Sequence, residues 1–141
     1  MKKNRVLRGR LTDGETRRLI VDDGNFNDGW TIVHFVVAGD GQTSTECNAK
    51  ICLDDSLPAP GWNWGDNKEI AWASTRQTTE ATWGGWEGAI DPNNVIIQDA
   101  YITGQSSNGS VINYMVTIER VALSDDQAIL GLIQERAQDD L

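Results

Sequence analysis

In the run from Val111 to Leu123 the even positions Ile112, Tyr114, Val116 and Ile118 are all apolar, while the odd ones include Asn113, Thr117 and Glu119. A period of two is the signature of a strand with one face in a core and one face in water. Upstream, NVIIQDAYIT (Asn94 to Thr103) is a second apolar segment, and GQSSNGS lies between the two. Asn108-Gly109 can supply the positive φ values of a tight turn, and the serine-rich flanks lengthen the loop, so the two segments read as a β-hairpin. After Leu123 the period becomes about 3.6. Ser124 is a good N-cap, Gln127 completes a capping box, and Asp125 and Asp126 lie at the positive end of the helix dipole. Ile129, Leu132, Ile133 and Ala137 form a stripe with Leu130 at its edge, which predicts a C-terminal helix with an apolar side to bury, ending in an acidic tail.

The rest of the chain carries no alternation of strands with helices. Arg5 to Leu11 and Arg17 to Val21 are apolar-basic runs separated by the turn signal TDGET, and they read as a first hairpin at a sheet edge. GWTIVHFVVAG is the most apolar run, with Val33, Phe35 and Val37 on one face and Ile32, His34 and Val36 on the other; it predicts a central strand covered on both sides. Thr45 to Leu53 predicts another strand, ended by the prolines of DDSLPAPG. Glu69 to Ser74 predicts a strand, Thr78 to Trp83 a partner for it, and the glycines around Trp86 a loop. The pattern is mainly β: an antiparallel β-sandwich or jelly-roll-like barrel with one C-terminal α-helix. Residues 1–123 form the sandwich, including the basic N-terminal segment, and residues 124–141 the helix and tail of the same domain.

At 141 residues such a domain buries roughly 68% of its unfolded surface and needs no disulfide or metal staple. No long apolar run and no signal-peptide pattern is present, so the chain is expected to stay in the cytosol where it is made, without a membrane span. Cys47 and Cys52, five positions apart, would face opposite sides of one strand, which predicts two reduced thiols. The net charge of −9 is uneven: seven cations against Asp13 and Glu15 give the first eighteen residues +5, and the remainder carries −14. A basic segment on an acidic body fits an acidic neighbouring subunit, and the body would repel a phosphate backbone, so nucleic acid is not an expected partner. The cations also discourage edge-to-edge pairing.

Reactive chemistry is not expected. His34, the one histidine, lies in the most apolar strand, which argues against a hydrolase triad, and there is no phosphate loop or nucleophile elbow. From Asp23, the alternate positions Asn25 and Asn27 imitate a calcium loop, but its glycine falls one place late and His34 stands where a bidentate glutamate is needed. No enzyme activity, metal or cofactor is therefore expected. Five of the six tryptophans, Trp62, Trp64, Trp72, Trp83 and Trp86, fall within twenty-five residues. Indoles fill cores, anchor protein interfaces and stack on sugar faces. The glycine-flanked stretch favours a contact patch, with Trp62, Trp64, Trp83 and Trp86 as partner-binding residues beside Arg5, Arg8 and Arg10.

The successive segments LRGRL, LIVDDGNFNDGWTIVHFVV, WNWGDNKEIAWAS, IDPNNVIIQDAYITG and NYMVTIERVALSDDQAILGLIQERAQDDL resemble a small family of virion-type proteins of tailed bacteriophages, especially of marine bacteria. The resemblance covers most of the chain and least of Cys47 to Pro60. It implies a structural protein of the phage particle, made in the host bacterial cytoplasm, whose partners are capsid subunits and further copies of itself. A capsid decoration or cement protein is the leading expectation. The alternative is a tail, baseplate or fibre component, with host glycan bound through the tryptophans; a jelly-roll capsid subunit using its basic segment on nucleic acid is the weakest.

Overall fold

The computed structural model describes residues 4–21, 24, 28–40, 44–53, 61–66, 68–77 and 83–123, with the backbone alone at 77 and 83–87. The expected helix, the tail, most of the Asp22 to Gly29 turn and all but Trp83 of the expected strand Thr78 to Trp83 lie outside these residues. Eight strands are described: β1 (Asn4–Leu11), β2 (Thr16–Ile20), β3 (Asp28–Ala38), β4 (Thr45–Cys52), β5 (Glu69–Gln77), β6 (Trp83–Ile90), β7 (Asp99–Ser106) and β8 (Ile112–Ala122). The protein is mainly β, and every strand pairing is antiparallel. Two sheets form, in the orders β1-β8-β3 and β2-β7-β4-β5-β6. Their inward faces share one core, to which Leu11, Phe35, Ile112, Val116 and Ile118 come from the smaller sheet and Leu19, Ala49, Ile51, Ala73 and Ile102 from the larger.

The alternation in β8 holds: Ile112, Tyr114, Val116 and Ile118 are buried, and Met115 is exposed. Both expected hairpins are corrected, however. β1 pairs with β8 and β2 with β7, so each pair of consecutive strands crosses from one sheet to the other. Turn chemistry does not distinguish the two outcomes, because a chain can reverse within a sheet or arch between sheets with the same residues. At the first arch, Gly14 has φ +81 and its N–H donates to Gly104 O at 2.8 Å, while the Glu15 carboxylate accepts from Thr12 N at 2.9 Å. The turn is thereby tied to β7. Tyr114 of β8 and Arg17 of β2 are hydrogen-bonded, which joins the sheets across the core edge. The ring passes Gly9, where a Cβ would come within 2.8 Å of the tyrosine oxygen.

The reading of β3 is corrected as well. The ladder to β8 pairs Ile32 with Ile118 and then His34 with Thr117, leaving Val33 as the extra residue of a bulge. A bulge resets the alternation. Ile32, Phe35 and Val37 face the core, whereas Val33 and His34 are exposed, so the strand is covered on one face only. The free edge of β3 is partly closed where Trp30 exchanges both backbone hydrogen bonds with Ile96. The glycines around Trp86, expected as a loop, lie within strand β6. The strand is accommodated by Gly88, at φ +78, beside the register shift between Trp72 and Ser74.

Candidate functional site

Two outward sheet faces, one on each side of the molecule, carry the expected contact residues. On the smaller sheet, Arg8 is in register with Met115, Met115 with Val36, and Arg10 with Asn113. Side chains of directly paired residues stand on the same face. This face therefore combines two exposed arginines with apolar groups left in water: Val6 is 54% exposed, Met115 40% and Val33 45%. A shallow depression of about 410 Å³ runs beside Arg8, Arg10 and Met115. Arg5 is turned the other way. It donates to Val21 O at 2.9 Å and its guanidinium lies 5.3 Å from the centroid of the fully buried Trp30 ring, so it helps hold β1 to the fold.

On the larger sheet the outer face is organised by a buried ion pair. Lys50 Nζ lies 3.1 Å from Glu69 Oε2, with 3% and 1% of the two side chains exposed. The ammonium also donates to Gly61 O at 2.7 Å, and Glu69 Oε1 accepts from Asn63 N and from Trp72 Nε1, each at 2.9 Å. Five groups from the sheet and from residues 61–63 thus satisfy one another, as a charge withdrawn from water requires. The result fixes the WNW segment on the sheet. Trp62 is half-buried there, and Trp64 is 62% exposed with its ring 5.7 Å from that of Trp72. The segment is a turn closed by Asp66 N to Asn63 O at 3.0 Å, and its two indoles occupy different environments. Trp83 and Trp86 lie in β6, in register with Gln77 and Ser74.

The same outer face holds an open groove of about 710 Å³ over β5, β4 and β7, lined by Asp13, Glu46, Asn48, Ser74, Arg76 and Gln105 among others. Asn48 and Gln105 also line a neighbouring depression with Trp62. Cys47 lies beneath the floor, its side chain turned into the core. Burial pushes its thiol above the ordinary range, only partly offset by a backbone hydrogen bond from Thr75. Both cysteines are buried, and neither forms a disulfide.

Neither the Lys50–Glu69 pair nor the groove was anticipated from the sequence. The signal was there: a single lysine within the apolar run NAKIC and a single glutamate opening EIAWAS, each a charge that a buried strand must compensate. Among the described residues, no group of three His, Cys, Asp or Glu side chains could hold a metal ion, and no helix is long and apolar enough to cross a membrane. These features define an antiparallel β protein, with eight strands among the described residues, a cationic-apolar face on one sheet and a polar groove on the other. Compared with protein-family models, with curated proteins and with solved structures, the chain matches none.

Proposed function

We propose that this is a bacteriophage virion structural protein, a capsid decoration or cement protein that stabilises the particle through contacts between subunits. The observation that carries the reading is the outer face of the smaller sheet. Val6, Met115 and Val33 are apolar and exposed, and Arg8 and Arg10 share their face on a chain whose remainder is strongly acidic. Such a face fits an acidic neighbour with an apolar centre, whether a capsid subunit or the acidic body of another copy. Burying it makes the assembled shell lower in free energy than its separate parts, without any chemical step.

The strand order supports the finer assignment of a jelly-roll-like winding, and the C-terminal helix over residues 124–137 is part of the same proposal. Pairs β1·β8, β2·β7 and β4·β5 are hydrogen-bonded as that winding nests them, whereas β6 is hydrogen-bonded to β5 and packs against β3 from the opposite sheet. That winding is one that viral capsid and lectin domains use. It carries no function by itself. Trp62 and Trp64 remain proposed partner contacts on the opposite side, and Trp83 and Trp86 proposed contacts from β6.

The test is imaging of phage particles carrying the wild-type protein and the Arg8→Glu/Arg10→Glu variant. The reading expects density at capsid subunit junctions that is lost or thinned in the variant. Density on the tail would replace it with the tail, baseplate or fibre assignment, and no density anywhere on the particle would end both.

A further inference from the structure

Ser74 of β5, Asn48 of β4 and Gln105 of β7 stand in one cross-strand row, Asn48 being paired with both of the others. Their chain neighbours Ala73, Cys47 and Ala49 point into the core, so the row points out into the groove. With strands about 4.8 Å apart, three positions span roughly 10 Å. Among the described residues, no protein group engages any of these three side chains. Polar groups around them are committed: Asp13 accepts from Ser106 N, Ser107 Oγ accepts from Glu46 N, and Arg76 pairs with Glu46 at 3.3 Å. The groove therefore has satisfied walls and an unsatisfied floor. At one end it meets the depression lined by Trp62, whose segment is clamped by Lys50 and Glu69.

We propose that this groove binds an uncharged oligosaccharide. A sugar ring presents neighbouring hydroxyls, each both donor and acceptor, on an otherwise apolar frame. The amides of Asn48 and Gln105 each offer a donor and an acceptor in one plane, and the Ser74 hydroxyl offers both from a single atom, which matches such hydroxyls without any net charge. The half-buried Trp62 stands beside Asn48 and Gln105 at the end of the groove, and in the proposed complex its indole meets a sugar's C–H face. A phosphate-bearing ligand is disfavoured, because Asp13 and Glu46 outnumber Arg76 along the groove and the surrounding body is acidic. Strand addition by a peptide is closed as well: β4 and β7 lie inside the sheet, with their backbone groups spent on both neighbours. The groove lies on the opposite sheet from Arg8 and Arg10, so the inference stands whether or not that face meets a capsid.

The experiment is a binding screen of the full chain on a printed array of neutral oligosaccharides, acidic oligosaccharides and phosphorylated glycans. Positive glycans would then be titrated calorimetrically against wild type, Asn48→Ala, Gln105→Ala and Arg8→Ala. The expected result is binding confined to neutral glycans and weakened about tenfold by each groove variant, the loss that one or two uncharged hydrogen bonds produce. Arg8→Ala should bind as wild type does, and all variants should keep the wild-type unfolding midpoint, since the substituted side chains face solvent. An empty array at millimolar glycan overturns the proposal. So does binding that favours phosphorylated glycans, or neutral-glycan binding that both groove variants retain in full.

Discussion

Lys50 and Glu69, nineteen positions apart in sequence, form an ion pair sealed from solvent on the outside of a sheet rather than in the core. The sealing is done by residues 61–63, where Gly61 O accepts from the Lys50 ammonium and Asn63 N donates to the Glu69 carboxylate. Stability of the sheet and placement of the tryptophan turn are consequently one property.

Removing one partner of this pair is expected to be costly. Lys50→Met leaves the Glu69 carboxylate buried without its cation, and a loss of about 3–5 kcal/mol is expected in denaturant titration. The double variant Lys50→Met/Glu69→Leu should recover much of that stability, because both charges are then gone. Its Trp62 and Trp64 emission should nonetheless resemble that of exposed indoles, since the bonds to Gly61 and Asn63 are lost.

Gly88 and Gly109 both adopt positive φ, at +78 and +75, yet they should respond differently to alanine. At Gly109 a Cβ meets open space, and the expected cost is the conformational one of about 1–2 kcal/mol. At Gly88 the Cβ would lie 1.9 Å from Trp72 O, so the β5–β6 ladder must shift. Unfolding midpoints should place Gly88→Ala well below Gly109→Ala.

Glu15 gives a pH dependence of defined sign. The backbone N–H of Thr12 and the Arg17 guanidinium hold its carboxyl below the ordinary value of 4.5. A depressed carboxylate contributes stability that is present above its unfolded pKa and lost as pH falls through the lower folded value. Wild type should therefore exceed Glu15→Gln in stability near neutrality, and the gap should close below about pH 4.5. A gap that widens on acidification would contradict the assignment.

Cys47 should be unreactive in the native protein. It is 3% exposed and its thiol is pushed up by burial, so little thiolate is available at pH 8. A colourimetric thiol reagent should modify it at the rate of global opening, and should react rapidly once the chain is unfolded in denaturant.

Strands were legible wherever one face meets the core, as in β8, because burial writes a period of two into the sequence. Sheet membership was not. The TDGET and GQSSNGS turns contain the residues any reversal needs, and whether the chain pairs with itself or arches across the core depends on β8 and β7, which are remote partners of β1 and β2. In β3 a single bulged residue, Val33, put Ile32 on the face expected of Val33 and left Val33 outside. Bulges have no strong local signal in β-branched runs. Of the candidate site, Arg8, Arg10 and Trp64 are exposed as a contact role requires, whereas Arg5 is engaged with Val21 and Trp30. The row Ser74, Asn48 and Gln105 was invisible beforehand, since each belongs to a different strand and only pairing brings them together.

β8 is the middle strand of its sheet, held between the first and third strands of the chain. Neither β1 nor β3 has a lateral partner in that sheet until residues 112–122 have been synthesised. Until then the growing polypeptide carries Leu7, Leu11, Phe35 and Val37 without their partner strand, and closure by such distant contacts is slow, on the order of milliseconds to seconds. In a cell making many copies at once, the period of greatest vulnerability falls before β8 is available for pairing. Expression yield should accordingly depend more on chaperone capacity at that stage than on the stability of the finished protein.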